Sequence, residues 1–383
     1  MPSTFGNRLS VTVFGQSHSA GVGCVVEGFP SGFAVDTDAL EAFVERRAPG
    51  HAPWDTPRKE KDSFRILSGL NPDGMTCGAP FAAIIENTNT RSGDYANLLT
   101  VPRPGHADFT AWAKWHGAQD VPGGGHFSAR VTGPLCVAGG IALQMLAARG
   151  VRISAHLLEA AGVRDEAFCL LDNSPEAQAR LSSQMDAVSD SHGLPVIDQG
   201  REAAITAAVM TARAEKDTVG GVVECVATGI PAGVGSPMFD GMESNVARAI
   251  FGIPAVKGIE FGLGFEASRV RGSQDNDPYE VRDGRCVPRT NNAGGILGGI
   301  TTGSPLFFRV GFKPISSIGL EQDSVDLRMM APAKLCVRGR HDTCPATRAV
   351  PIVEAVCALV VLDSILTWPA EPEATTRHRP QTA

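Results

Sequence analysis

Apolar residues along the chain fall into two periods. Continuous or alternating apolar runs predict strands at 9–14, 22–27, 64–69, 80–87, 151–160, 219–228, 255–262, 305–312 and 334–339. Helical spacing replaces them at 38–47, where Leu40, Phe43 and Val44 share a face and Asp36 or Thr37 can cap, and at 134–149, closed by Gly150. Further helices are expected at 175–189, 200–216, 243–251 and 350–367. The mixture predicts an α+β fold.

One echo bears on how these elements are arranged. CVVEGFPSG at 24–32 returns as CVATGIPAG at 225–233, with Cys, Val, Gly, Pro and Gly in register, each copy ahead of a helix with an arginine. Two related halves around a shared core would explain it, and so would chance likeness of two strand-turn segments. No low-complexity linker separates the halves. Residues 1–368 are therefore expected to form one domain, and the last fifteen, PAEPEATTRHRPQTA at 369–383, a disordered tail.

Composition narrows the function classes. At 383 residues, 43% hydrophobic and 20% charged, the chain can bury a large core. A net charge of −7 provides no overall basic field for nucleic acid or an acidic membrane surface, so an anionic partner must be met locally. Nine cysteines without a C-x-x-C pair point to reduced thiols in a cytoplasm and away from a disulfide framework or zinc ribbon. MPSTFGNRLS has no apolar core of a leader, and the longest apolar run, 355–362, is short for a membrane span. Neither a nucleic-acid nor a membrane partner is expected. Forty-three glycines and twenty-six prolines predict ligand-holding loops.

The chemistry-bearing residues lie in such loops. In VTVFGQSHSAGVG, 11–23, His18 follows a strand and sits among residues too small to bury it, as a reagent would. The alternative is a turn histidine making a local hydrogen bond. There is no P-loop, no H-E-x-x-H and no G-x-S-x-G, and GLGFEA at 262–267 reads as a turn. His, Arg and Gly recur together in RPGHADFTAWAKWHGAQDVPGGGHFSAR at 103–130 and in RGRHDTCPATRAVPIVEAV at 338–356. Guanidinium forks and glycine-turn amides suit a small, multiply anionic ligand, and arginines interleaved with Gly and Pro do not line one solvated helix face. ERRAPGHAPWDTPRKE at 45–60 adds a basic loop, and NNAGGILGGITTGSP at 291–305 leads through a strand to KPISS at 313–317, surfaces against which a flat ring and its phosphate could lie.

As a set, these segments resemble the chorismate synthase family. The family's G-E-S-H-G element stands as GQSHSA at 15–20. Its R-P-G-H-A-D, G-G-G and S-A-R elements stand as RPGHAD at 103–108 and GGGHFSAR at 123–130, and R-H-D-P-C with R-A-V-P as RHDTC at 340–344 and RAVP at 348–351. Similarity extends over about residues 5–365 and includes 244–273, NNAGGILGGI and KPISSI. The resemblance implies a β-α-β sandwich with an internal pseudo-repeat. The implied reaction is trans 1,4-elimination of phosphate from 5-enolpyruvylshikimate 3-phosphate, giving chorismate, with reduced FMN (FMNH2) required but no net redox change. It implies His18 as proton donor to the leaving phosphate, His106 beside the flavin, and Asp342 toward the flavin N5 edge. Ser17, Arg46, Arg47, Arg58, Arg103, Arg130 and Arg340 would bind substrate. His126, Phe127, Ser128, Pro254, Ala255, Gly298, Lys313, Pro314, Ile315, Ser316, Ser317 and Arg340 would hold the cofactor, with no metal. Family members are typically homotetramers, and the flavin is reduced either on the protein by NADPH or by a separate reductase.

The chain departs from the family pattern in places. Gln16 replaces Glu, Ser19 replaces Gly, His126 and Phe127 replace Arg and Ser, and Thr343 replaces Pro. Ala48 lies in RRAPG, and Pro53 stands in the following loop where arginine is common. The changes remove positive charge near the implied substrate and flavin. A catalytically idle flavin- or phosphate-binding paralogue is the alternative to an active lyase. A His/Asp metal hydrolase would need clustered ligands, which the spacing does not offer.

Overall fold

The computed structural model describes residues 3–50, 52–55, 62–88, 97–189, 193–337 and 341–370. The first half contains β1 (Thr4–Phe5), β2 (Ser10–Gly15), β3 (Gly21–Glu27), α1 (Thr37–Glu45), β4 (Phe64–Ser68), β5 (Phe81–Glu86), α2 (Asp108–Trp115) and α3 (Thr132–Ala147). There follow β6 (Arg152–Ala160), β7 (Val163–Arg164), α4 (Pro175–Ser189), α5 (Glu202–Ala214), β8 (Gly221–Thr228), α6 (Met242–Ile250) and β9 (Val256–Phe261). Then come α7 (Gly272–Asp275), β10 (Tyr279–Arg282), β11 (Arg285–Pro288), β12 (Ile296–Leu297) and β13 (Ile300–Thr301). The chain continues through β14 (Leu306–Phe312), β15 (Gln322–Asp326), β16 (Ala331–Leu335) and α8 (Ala346–Thr367).

Two five-stranded antiparallel sheets, ordered β1-β2-β3-β5-β4 and β7-β6-β8-β14-β9, enclose α3 and α8. The helices pack closely on each other: a Cβ on Gly139 of α3 would stand 2.4 Å from Ala355 Cβ of α8. Both are buried nearly all round, as expected of helices sandwiched between layers. Residues 129–147 and 346–367 are long and apolar enough to cross a membrane by length and composition, yet 83% and 89% of their apolar windows are buried here. One hydrophobic cluster runs through both sheets, from Val11, Val22 and Ile85 to Leu157, Val223 and Val310.

The sequence echo is a structural repeat. β2-β3-α1-β4-β5 followed by α3 matches β6-β8-α6-β9-β14 followed by α8, and the echoed strands β3 and β8 are both central in their sheets. Echoed Gly28 and Gly229 have φ of 91° and 80°, and a Cβ on either would lie 2.0 or 2.1 Å from a backbone oxygen, of Arg8 or Gly150. The same close approach after the same strand demands glycine twice.

Element boundaries follow the hydrophobic periods closely, with three corrections. α8 begins at Ala346 and carries Pro351 as its sixth residue, so that the helix runs through a proline at the expense of the one bond to Thr347 O. The strand expected at 334–339 is β16 at Ala331–Leu335, paired with β15. The 103–130 segment, expected to be loop, contains α2. GLGFEA is a turn and short 3-10 segment at Gly264–Arg269. Of the expected tail, 371–383 lies outside the described residues.

Candidate active site

A cavity of about 750 Å³ opens where the two halves meet. The residues following the equivalent helices α1 and α6 supply two of its walls, with Arg47 and Pro49 on one side and Phe251 to Val256 on the other. The turn before α2, the glycine turn before α3, the segment after β14 and the start of α8 complete it.

The glycine turn organises the two expected histidines. Gly123, Gly124 and Gly125 have φ of 64°, 84° and 53°, a run that L side chains resist. A Cβ on Gly123 would stand 2.4 Å from Ser17 Oγ and 2.9 Å from His18 Cδ2, and one on Gly124 would stand 3.5 Å from His106 Nε2. His18 and His106 thus pack against adjacent residues of one thin turn. Ser17 N donates to Gly125 O at 3.0 Å, fixing the His18 segment to it. Ser17 Oγ is buried with no hydrogen-bond partner among the described residues.

Guanidinium groups converge beside this turn. Arg47 and Arg130, both buried, donate to the two oxygens of one buried carboxylate, Asp62. Arg47 also donates to Thr132 Oγ1 and Ala129 O at 2.9 Å, and Arg130 to Asn87 Oδ1 at 3.0 Å. Burial pushes the Asp62 carboxyl up, but the two guanidiniums outweigh it and hold it below the usual range. Arg348 donates to Asp342 Oδ2 at 2.6 Å and to Arg47 O at 3.0 Å. Three guanidiniums therefore face two carboxylates.

A second cluster sits across the turn. Asp108 accepts from Arg103 Nε at 2.7 Å and from His106 Nδ1 at 2.6 Å, and Arg103 Nη1 donates to Ser317 Oγ at 3.0 Å. Lys313 Nζ donates to Ser316 Oγ at 2.8 Å, and burial together with Lys257 lowers its pKa. Arg248, exposed on the last turn of α6, adds a cation to the wall with no acidic partner among the described residues.

The walls contain Arg47, Arg103, His106, His126, Phe127, Ser128, Arg130, Pro254, Ala255, Lys313, Ile315, Ser316, Ser317 and Asp342. Ser17 and His18 lie behind Gly123, and Pro314 is outside the lining. Two expected residues are elsewhere. Arg46 turns away to pair with Glu354 of α8 at 2.7 and 3.1 Å, and Gly298 sits at the tip of the β12–β13 hairpin. Arg58 and Arg340 lie outside the described residues. Asp62, Asp108, Arg248 and Arg348 were not among the expected site residues. Asp108 and Arg348 stood within the family motifs, whereas nothing local marked Asp62 or Arg248.

The departures from the family pattern have structural partners. His126 Nδ1 donates to Gly15 O at 2.7 Å and its Nε2 accepts from Ser3 Oγ at 2.8 Å, so this ring ties the N-terminal strand region to the glycine turn. Phe127 leans on Trp115 with ring centroids 5.9 Å apart. Pro53 O accepts from Arg213, Thr343 N donates to Trp54 O at 3.3 Å, and Ser19 Oγ accepts from Gln16 N at 3.0 Å.

An α+β sandwich that sets guanidiniums, two histidines and an aspartate around a cavity of this size defines an enzyme acting on a small, multiply anionic molecule. The chorismate synthase family model matches residues 9–366. A curated chorismate synthase of Lancefieldella parvula is 52% identical over 97% of this chain and 98% of its own length. One of Archaeoglobus fulgidus is 44% identical over 95% and 97%. A crystal structure of a chorismate synthase superposes with a TM-score of 0.71 at 25% identity, covering 94% of this chain and 93% of its own. The chain belongs to the chorismate synthase family and is a carbon–oxygen lyase.

Proposed function

We propose that this chain converts 5-enolpyruvylshikimate 3-phosphate to chorismate by trans 1,4-elimination of phosphate. The observation carrying this is the convergence of Arg47, Arg130 and Arg348 on a cavity flanked by His18 and His106. A substrate with a phosphate and two carboxylates needs this excess of positive charge, which also favours the departing anion. His18 donates a proton to the leaving phosphate, the part of a general acid. Asp342, held by Arg348, aids transfer of the proton released from the substrate ring.

Reduced FMN is the cofactor on this reading. The donor set fits it: Lys313, Ser316 and Ser317 suit a phosphate, His106 a polar ring edge, and the apolar stretch Ile253–Val256 a flat ring. When bound, the flavin supplies transient electron density that eases carbon–oxygen cleavage and recovers it afterwards. NADPH acting on the protein or a separate reductase keeps it reduced. The core shared by both sheets supports one domain over 1–368, and nine free cysteines support a cytoplasmic setting. Exposed Met238, Phe239, Phe265, Met329 and Met330 support self-association, and the homotetramer that the family resemblance implies is checked by sedimentation.

The test is anaerobic. The purified chain is mixed with photoreduced FMN and 5-enolpyruvylshikimate 3-phosphate, and chorismate and phosphate are followed together. Equal yields are expected, with His18→Ala and His106→Ala slower by about a hundredfold or more. Flavin binding without either product rejects the lyase assignment, and wild-type rates in both variants reject the histidine roles.

A further inference from the structure

We propose that Asp108 is a positioning residue that presents His106 to the cavity through Nε2 alone and ties that imidazole to Arg103. What His106 then does rests on the lyase reading above; how it is held does not.

Asp108 is the first residue of α2, 9% exposed, and both of its carboxylate oxygens are occupied. Oδ1 lies 2.6 Å from His106 Nδ1 and 2.9 Å from Arg103 Nη2, while Oδ2 accepts from Arg103 Nε at 2.7 Å and Arg103 N at 3.0 Å. Arg103 Nη2 also stands 3.1 Å from Nδ1, but that guanidinium nitrogen already donates to Oδ1, and two bare acceptors do not approach to 2.6 Å; an ionised carboxylate only accepts, so Nδ1 carries the hydrogen and Nε2 keeps its lone pair. Burial would push the Asp108 carboxyl up, but the Arg103 and His106 hydrogen bonds prevail and hold it well below the usual range. Nε2 faces Gly124, where a Cβ would come within 3.5 Å of it, so a residue without a side chain leaves that nitrogen open.

The charged groups facing His106 come from three elements: Asp108 of α2, Arg103 of the preceding turn and Lys313 after β14. Burial lowers its pKa, the Asp108 bond works against burial, and Arg103 and Lys313 lower it again. The resting imidazole is therefore neutral at pH 7. A proton arriving at Nε2 makes an imidazolium that the Asp108 carboxylate faces directly, and the same nitrogen returns it. A simple neutralising partner for Arg103 would not need Oδ1 within 2.6 Å of the imidazole.

Two measurements test this. The full chain labelled with 15N-histidine, free of ligand at pH 7.5, gives the tautomer of each ring, with His106 assigned by its loss in His106→Gln. Protonated Nδ1 and bare Nε2 are expected in the wild type, and a mixed tautomer in Asp108→Ala. A predominantly Nε2-protonated ring in the wild type, or an unchanged tautomer in folded Asp108→Ala, overturns the proposal. The wild-type spectrum decides alone if the variant does not fold. In the anaerobic assay Asp108→Ala is expected to lower turnover at least about tenfold in the wild-type background and less than about twofold in His106→Gln. Equal losses in both backgrounds overturn it, leaving Asp108 to act through Arg103 alone. Failure of the lyase reading would show separately, as no chorismate from the wild-type chain, while the tautomer is still read.

Discussion

Arg46 and Arg47 are neighbours with opposite fates. Both follow the last turn of α1, yet Arg46 pairs with Glu354 while Arg47 is 2% exposed and donates to Asp62. Successive side chains leaving a helix point about 100° apart, so only one of the pair reaches the cavity. Asp62 matters more than its place in the sequence shows, because it balances two buried guanidiniums at once. Asp62→Asn leaves both uncompensated and is expected to destabilise the fold by about 3–5 kcal/mol, read from urea unfolding. A loss below about 1 kcal/mol would show that water or another group satisfies the arginines.

At the scale of elements, helix packing and the glycine turn decide the architecture. Ala is favoured over Gly in a helix by about 1 kcal/mol, so Gly139→Ala should stabilise α3 by propensity alone. Its Cβ would stand 2.5 Å from Ala355 Cα and 2.6 Å from Ala355 O, backbone that cannot turn aside. Overpacking of about 1–3 kcal/mol outweighs propensity, and net destabilisation is expected by thermal unfolding. Gly272→Ala, where nothing lies within 4 Å of the new Cβ, is the control and should leave the melting temperature unchanged. Equal melting of both variants would mean that α3 and α8 are not in such close contact. Most elements are legible in the residue pattern itself: apolar spacing predicts a helix at 175–189, and α4 occupies Pro175–Ser189, since the hydrophobic period is a local property. Among the helices α2 and the four-residue α7 are not foreseen, α2 because its short DFTAWAKW run is framed by Gly and Pro motifs that read as loop.

Across the whole molecule, buried ionisable groups set the pH window of stability. Burial raises Asp62, Asp108, Asp165 and Glu224, but their cationic and hydrogen-bonding partners outweigh it and hold all four below their ordinary values. Their stabilisation is present above those values and is lost as pH falls through the lowered folded ones. His156 has the opposite sign. It is wholly buried between Asp165, 3.2 Å from Nδ1, and Glu224, 3.1 Å from Nε2, with Arg309 on the far side of Glu224. Burial lowers its pKa, but the two carboxylates prevail and raise it above 6.5. Its stabilisation is full below 6.5 and disappears as pH rises through the raised folded value. Melting temperature should therefore decline with rising pH above 6.5, and His156→Gln should flatten that limb while leaving the acid limb in place. An identical alkaline decline in His156→Gln would assign it to other groups.

The amino-acid sequence alone determined the α+β class, the longer strands and helices, the CVVEGFPSG and CVATGIPAG echo that the fold turns into a repeat, and the family motifs that carry His18, His106 and Asp342, whereas the short strands β1, β7, β10–β13 and β15 escaped it. Each of these depends on residue type at short spacing, which backbone geometry translates directly into structure. Tertiary structure decided that Asp62 serves both Arg47 and Arg130, that Asp108 binds His106 and Arg103 together, and that Arg46 faces away. It also set His18 and His106 against adjacent glycines of one turn. Ion pairing and cavity access depend on distances through space of a few ångströms, and sequence separations of 15 or 68 residues do not encode them.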